Sequence, residues 1–472
     1  MIRSGLVGIC LSLSLWLVAC GRPVTQPLSP LKPPPHYLSA PRSSSLTPPP
    51  DNWWQDFADP ALDELVARVL KHNYDLRQAV ARVAEMKAQS RVARAARFPR
   101  LDFNFQGRRE RNVIFGPFFT RSPSYIIGRF NSSLAASYEV DLWRRLSKES
   151  QAAYLRLLQA EEDRQALAQI LVAEAVSTYL KRAFSLCQLS VLEEEIDLES
   201  RLLAILQERF SQGVVDLATV KVQESLLAQK KADRLVLLKE LKSLGQKLDL
   251  LAGVYPGSGP RRASSLCELN LSPPPAGLPS ELLLRRPDIR SARAALAAAR
   301  AQAAAARAAR FPSIKLTADM GRISTALKDL LRPENRWWQL AVSLSQPLFD
   351  AGALKAQEMA ARARAESAEA TYMKTVLQAF YEVESALLAE EKLAQILDQR
   401  LRQQEALKIQ WELKGRRYQA GVLEATALLE ARRRYLETTR AVYEARQALF
   451  LNRVSLYRAL GGSWPNLDRK TR

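Results

Sequence analysis

Between Trp143 and Arg209 the chain runs for about 67 residues without a proline. Helix-forming Ala, Leu, Arg, Glu and Gln dominate the run. As one helix it would be ~100 Å long, at 1.5 Å per residue. Helices of globular domains average roughly 11 or 12 residues. A helix this long and unbroken belongs in a coiled coil or a helical barrel. A second run goes from about Asp216 to Leu251, after which Gly253 to Pro279 breaks the pattern with glycine and proline.

The second half repeats the first. Ala93-Arg94-Ala95-Ala96-Arg97-Phe98-Pro99 recurs, about 213 residues later, as Ala306-Arg307-Ala308-Ala309-Arg310-Phe311-Pro312. Another long helix is expected from about Ala353 to Lys414, with a return helix from about Thr426 to Leu460. The turns between the long helices also match: Arg209-Phe210-Ser211-Gln212-Gly213-Val214 and Arg417-Tyr418-Gln419-Ala420-Gly421-Val422. A glycine tolerates the left-handed conformation that ends a helix. Gly213 and Gly421 therefore mark the tips of two antiparallel helical hairpins.

Each half also holds two segments of period-two alternation. Leu101 to Gln106 alternates strictly, and Leu134, Ala136, Tyr138, Val140 and Leu142 share one face. Ile314, Leu316, Ala318 and Met320, then Trp338, Leu340, Val342 and Leu344, repeat the pattern. Such strands have one apolar and one polar face, and two-stranded units are marginal alone. A barrel closed across several subunits would bury the edges and turn the apolar faces to lipid. An uninterrupted helical character is expected from Asp59-Pro60 to about Arg97.

Met1 to Cys20 reads as an export signal: Arg3, then apolar Leu6 to Val18, then Leu17-Val18-Ala19-Cys20. The apolar run is shorter than the about 20 residues of a spanning helix. Its end resembles the lipobox of bacterial lipoproteins, in which Cys20 carries lipid after removal of the first nineteen residues. Residues 21–52, rich in proline and serine, form a tether and not a domain. Cys187 and Cys267 remain; the sequence leaves their pairing open. His36 and His72 are too few for a histidine-based metal or catalytic site. No Ser/His/Asp set, phosphate loop or metal-ligand cluster is present, so an enzyme is not expected. Glu193-Glu194-Glu195 reads as a solvated helix face.

Several stretches carry a resemblance to the TolC-like outer-membrane factor family, in its lipoprotein (OprM/NodT-like) branch. They are Trp53-Trp54 with Phe57 and Asp59-Pro60; Leu284-Arg285-Arg286-Pro287-Asp288-Ile289-Arg290; Tyr138 to Trp143; and Pro347-Leu348-Phe349-Asp350-Ala351-Gly352. The resemblance covers nearly the whole chain. It implies a mainly α fold with transmembrane β: a homotrimer with a twelve-stranded outer-membrane β-barrel, continued by a periplasmic α-helical barrel. The divisions expected are a signal peptide (1–19), a tether (20–52), a first repeat (53–253), an equatorial connector (254–279), a second repeat (280–460) and a tail (461–472). Strands are expected at about 100–108, 130–142, 312–322 and 337–346, and tips at about 209–216 and 416–425.

The resemblance further implies an exit duct of a tripartite efflux system, with a periplasmic adaptor at the hairpin tips and a proton-driven inner-membrane pump. Arg209, Gly213, Arg417 and Gly421 become adaptor-contact candidates. Tyr418, Glu430 and Ala425 become periplasmic gate candidates. Glu430 reads equally as a solvated helix charge, and the family's polar lock is incomplete, since Leu423, Thr219 and Ala427 replace its charged positions. No cofactor is implied beyond diacylglycerol and N-acyl lipid on Cys20, and no metal.

Two alternatives compete. The duct could serve type I protein secretion instead of drug efflux. No His/Met-rich segment suggests a metal-dedicated duct. From another class, the net charge of +20 and the long helices would suit a basic coiled-coil scaffold or nucleic-acid-binding protein. The signal segment and four alternating strands argue against that, and no nucleic acid is expected as partner.

Overall fold

The computed structural model describes residues 37–39, 52–113, 124–258, 266–269 and 279–462. The signal segment, Cys20 and most of the tether lie outside the described residues.

A five-residue 3-10 turn, Trp53–Phe57, starts the body. Trp53 stacks on Tyr457, and Phe57 meets Phe450, which also touches Phe184. These aromatics fasten the start of the chain to both halves in one core. Helix α1 (Pro60–His72) is capped by Asp59, whose carboxylate accepts the Ala61 N–H and the Tyr179 hydroxyl. Helix α2 (Tyr74–Ala95) is separate. The single helix expected here breaks because Asn73 is extended and its side chain caps the next helix, accepting the Leu76 N–H. Its amide also donates to the Leu251 carbonyl. The apolar periodicity runs through this break and so hides it.

Strands β1 (Arg100–Val113), β2 (Ser124–Val140), β3 (Ser313–Ser324) and β4 (Arg336–Ser345) form one antiparallel sheet in chain order. Its register makes rows. Phe103, Leu134, Met320 and Trp338 lie opposite one another across the four strands. The adjoining row is Asp102, Ala135, Asp319 and Gln339. One face is thus apolar and open, with Leu101, Phe103 and Phe105 at one side and Leu340, Val342 and Leu344 at the other all exposed. The β1–β2 ladder continues to Val113↔Ser124, beyond the alternating segments. Arg108 to Arg111 break the alternation, but backbone pairing carries the strand on regardless.

Two hairpins of equal dimensions follow the strands. Helix α3 (Arg145–Ser211) and helix α4 (Leu217–Leu251) form the first. After the short α5 (Pro279–Arg285) and α6 (Pro287–Ala308), helix α7 (Ala353–Gln419) and helix α8 (Ala425–Ala459) form the second. The long helices have 67 residues each and the return helices 35 each. A constant shift of 208 positions therefore relates the hairpins, by subtraction of the printed helix starts (353 and 145).

Arg286, buried at the start of α6, bonds Asp288, Glu382 of α7 and the carbonyl of Ala459 at the end of α8. Its Leu-Arg-Arg-Pro-Asp surroundings thus act as a three-way joint. Residues 37–39 of the tether pack on α7: the Leu38 and Ser39 N–H groups donate to Glu384, and the Tyr37 ring is buried beside Leu282 and Ile289. Cys187 and Cys267 form a disulfide with Cα atoms 6.1 Å apart, tying the connector to α3.

Glu193, Glu194 and Glu195 are not a solvated face. Glu193 pairs with Arg234 of α4, and Glu194 with Arg432 of α8. Glu195 is fully buried and pairs with Lys230 of α4 at 2.6 Å, with Arg440 of α8 at 3.8 Å. Consecutive helical residues point about 100° apart, so one triplet reaches two neighbouring helices. The charges clasp α3 between the return helices of both hairpins.

Glu195→Ala, which strands a largely buried lysine, should cost about 3 kcal/mol and lower the melting temperature of the detergent-solubilised protein. Adding Lys230→Met should recover most of that loss. An unchanged melting point for Glu195→Ala would show that the pair holds nothing. At Gly321 of β3 a Cβ would meet the Ser132 carbonyl at 2.3 Å. Gly321→Val is expected to cost ~1–3 kcal/mol by overpacking and to deplete outer-membrane protein on immunoblots; wild-type levels would contradict the register.

Candidate functional site

The far ends of the two hairpins are built alike. At the first, the Val214 N–H donates to the Arg209 carbonyl and the Gly213 N–H to the Phe210 carbonyl. At the second, Val422 bonds Arg417 and Gly421 bonds Tyr418 in the same way. This is the hydrogen-bond pattern that closes a helix through a left-handed residue. Gly213 and Gly421 both have φ of +73°, and neither would bring a Cβ within 4 Å of another atom. The glycines are there for backbone conformation, and the space around them is open.

The return helices start differently. Asp216 caps α4 by accepting the Thr219 N–H at 2.9 Å and its hydroxyl at 2.5 Å. These two bonds hold the Asp216 carboxyl below the usual carboxylate range. Glu424 occupies the corresponding place before α8 and makes no capping bond. Its carboxylate accepts instead from Arg209 of the other hairpin at 3.1 Å and from the Thr426 hydroxyl at 3.2 Å. One methylene more in the side chain exchanges a local cap for a tip-to-tip contact. Glu424 was not among the sequence candidates. The repeat held the signal, because position 424 is position 216 shifted by 208.

Arg417 is exposed in the last turn of α7, with no ion pair among the described residues. Tyr418 is exposed beside it. Ala425 is the first residue of α8 and half-buried; Glu430, about a turn and a half further along, is exposed. No hydrogen bond or ion pair joins Tyr418, Ala425 and Glu430 among the described residues, so one subunit brings the tips together but not these three. Just above, Arg432 lies over the Trp411 ring at 4.2 Å, and Trp411 stacks on Tyr435. That sandwich fixes α7 against α8 near the tip. Among the described residues no cluster of His, Cys, Asp and Glu could hold a metal ion. No described helix is long and apolar enough to cross a membrane.

The molecule thus combines a sheet with one apolar open face, two long hairpins and matched tips. The model of the outer membrane efflux protein family matches residues 65–254 and 278–462. OpmQ, a pyoverdine export outer membrane protein of Pseudomonas putida, is 30% identical over 473 residues, covering 98% of each chain. The cation efflux system protein CusC of Escherichia coli is 29% identical over 415 residues, covering 87% of this chain and 88% of CusC. The solved outer-membrane channel OprN superposes with a TM-score of 0.82 at 27% identity, covering 93% of this chain and 99% of OprN. The chain belongs to the outer membrane efflux protein family, whose trimeric channels stand in the outer membrane, extend into the periplasm and work with a periplasmic adaptor and an inner-membrane pump.

Proposed function

We propose that this chain is the passive exit duct for small molecules delivered by a proton-driven pump, that its hairpin tips are where the adaptor docks, and that the same tips close the duct. The observation that carries the reading is the pair of congruent tips, with Arg209 of one bonded to Glu424 of the other. Two matched turns with open surroundings suit repeated docking of one partner. Arg209, Gly213, Arg417 and Gly421 are the contact residues in this reading. Cargo is chosen elsewhere in the system. Relatives named for pyoverdine and for cations share this chain's length and layout, and the described residues hold no metal cluster. No catalytic role is assigned to any residue. Lipid on Cys20, following a relative described as a probable outer membrane lipoprotein, would secure the subunit, and residues 20–52 would be its tether.

The gate reading starts from geometry. A tip-to-tip ion pair holds the end of the second hairpin beside the first, and releasing it loosens that end beyond the Glu194–Arg432 tie. Tyr418, Ala425 and Glu430 lie on that second hairpin. Three copies of Glu430 around a threefold axis would repel one another and favour cations at the constriction.

A photo-crosslinking residue at Gln212 and at Gln419, in living cells, should capture a periplasmic adaptor of a proton-driven system. Capture of an ATP-driven exporter's adaptor would move the cargo to secretion, and capture of no envelope protein would remove the docking reading. Gly213→Trp with Gly421→Trp should abolish export while leaving the protein in the outer membrane. Arg209→Glu breaks three exposed pairs per trimer, each worth ~0.5 kcal/mol. It should raise single-channel open probability in planar bilayers by about tenfold. The exchange Arg209→Glu with Glu424→Arg should restore closure; equal conductance in all three would exclude this pair from the gate.

A further inference from the structure

Part of the basic excess behind the net charge of +20 gathers where helix meets strand. Helix α2 carries Lys87, Arg91 and Arg94 at helical spacing on one face, and Arg97 follows in the turn before β1. All four are exposed, and none forms an ion pair among the described residues. Ser147, Ser150, Gln151 and Tyr154 of α3 face them across a cavity of about 310 Å³.

The second repeat supplies an internal control. There Arg310, the counterpart of Arg97, donates to Glu358 at 2.6 Å, and Arg362 bonds the same carboxylate. Glu358 is only 3% exposed. Burial alone would raise its carboxyl, but the Arg310 bond and the Arg362 charge hold it below the usual range. Shifted by 208, Glu358 becomes Ser150 and Arg362 becomes Tyr154. The first repeat therefore keeps Arg97, the counterpart of Arg310, but has neither the anion nor the second guanidinium that bonds it. Arg300 likewise pairs with Glu369 at 3.1 Å, while the corresponding Lys87 and Glu161 form no ion pair among the described residues. Guanidinium groups beside hydroxyls form a donor set suited to phosphate oxygens.

Position identifies the source of that phosphate. The groove lies immediately below Pro99, and the exposed apolar band begins at Leu101. From Arg91 to Arg97 the chain rises ~9 Å towards the strand; the headgroup layer on each side of a bilayer is roughly 5–7 Å deep. We propose that Arg91, Arg94 and Arg97, with the Ser150 and Tyr154 hydroxyls, bind the phosphate of an anionic phospholipid from the periplasmic leaflet of the outer membrane. Lys87 reaches up towards it along its apolar stem. The inference rests on the barrel standing in that membrane, as it does in this family.

The test is native mass spectrometry of the full-length trimer in mixed micelles, titrated with phosphatidylglycerol, phosphatidylcholine or inorganic phosphate. The wild type should retain phosphatidylglycerol over phosphatidylcholine. Arg91→Gln/Arg94→Gln/Arg97→Gln should reduce that preference on the order of a hundredfold at low salt. Ser150→Glu, which rebuilds the carboxylate of the second repeat, should abolish it with the trimer intact. Equal retention of both lipids by the wild type, or preference surviving in Ser150→Glu, overturns the proposal. Displacement of phosphatidylglycerol by submillimolar inorganic phosphate overturns the lipid source. Dissociation of the triple variant into monomers, with Ser150→Glu still selective, would assign the cations to a neighbouring subunit instead. Recovery of every variant in the outer-membrane fraction separates failure of this site from failure of the channel assignment.

Discussion

A sheet in lipid must satisfy every backbone N–H and C=O from within the protein. This subunit's four strands leave β1 and β4 with unpaired edges and one face of exposed aromatic and aliphatic rows. The apolar rows belong in hydrocarbon, where the unpaired edges are intolerable until other copies close the ladder. The rest of the molecule follows from where the sheet releases the chain. Asp141 accepts the Leu146 and Ser147 N–H groups, and Asp350 accepts those of Gly352 and Leu354, so each strand pair turns into its long helix at a carboxylate. Trp143 stacks on Phe311 and donates to the Pro312 carbonyl, which locks the first crossing to the turn between α6 and β3. The helical cylinder is thus aimed by contacts made at the membrane boundary.

Duplication kept the backbone and released the side chains. Helix lengths, tip bonds and the left-handed residues at Arg144 and Gly352 coincide between the halves. The charges do not. Position 216 caps its own helix while position 424 reaches across to the other hairpin. Position 358 is a buried carboxylate gripped by two arginines while position 150 is a serine facing an open groove. Backbone geometry is shared because both halves must lie side by side around one axis. Side chains diverge because each half meets a different neighbour.

What the sequence reveals is whatever depends on period and punctuation. The long helices, the strands' apolar faces and the tip glycines follow from spacing and from residues that end helices. What it conceals depends on partners distant along the chain. The break at Asn73 is invisible because its amide is drawn to Leu251, 178 residues away. Glu195 looks like its two neighbours in a polar triplet until Lys230 and Arg440 surround it. The extension of β1 through four charged or polar residues needs the facing strand to be known. Of the candidate tip residues, the glycines were legible from local conformation alone, whereas Glu424 required the two halves to be laid over one another. The gate candidates Tyr418, Ala425 and Glu430 stay apart within one subunit, because any constriction belongs to the axis the three copies share.

The Cys187–Cys267 bond introduces a matter of timing. It spans a separation of 80 positions and fastens the connector to the middle of a helix that can form locally by itself. Thiols stay reduced in the bacterial cytosol and oxidise in the periplasm. The hairpin is therefore free to coil as soon as the chain emerges, while the connector is fastened to it only after translocation. Maturation of the subunit is then coupled to its address: a copy retained inside the cell keeps an unfastened waist.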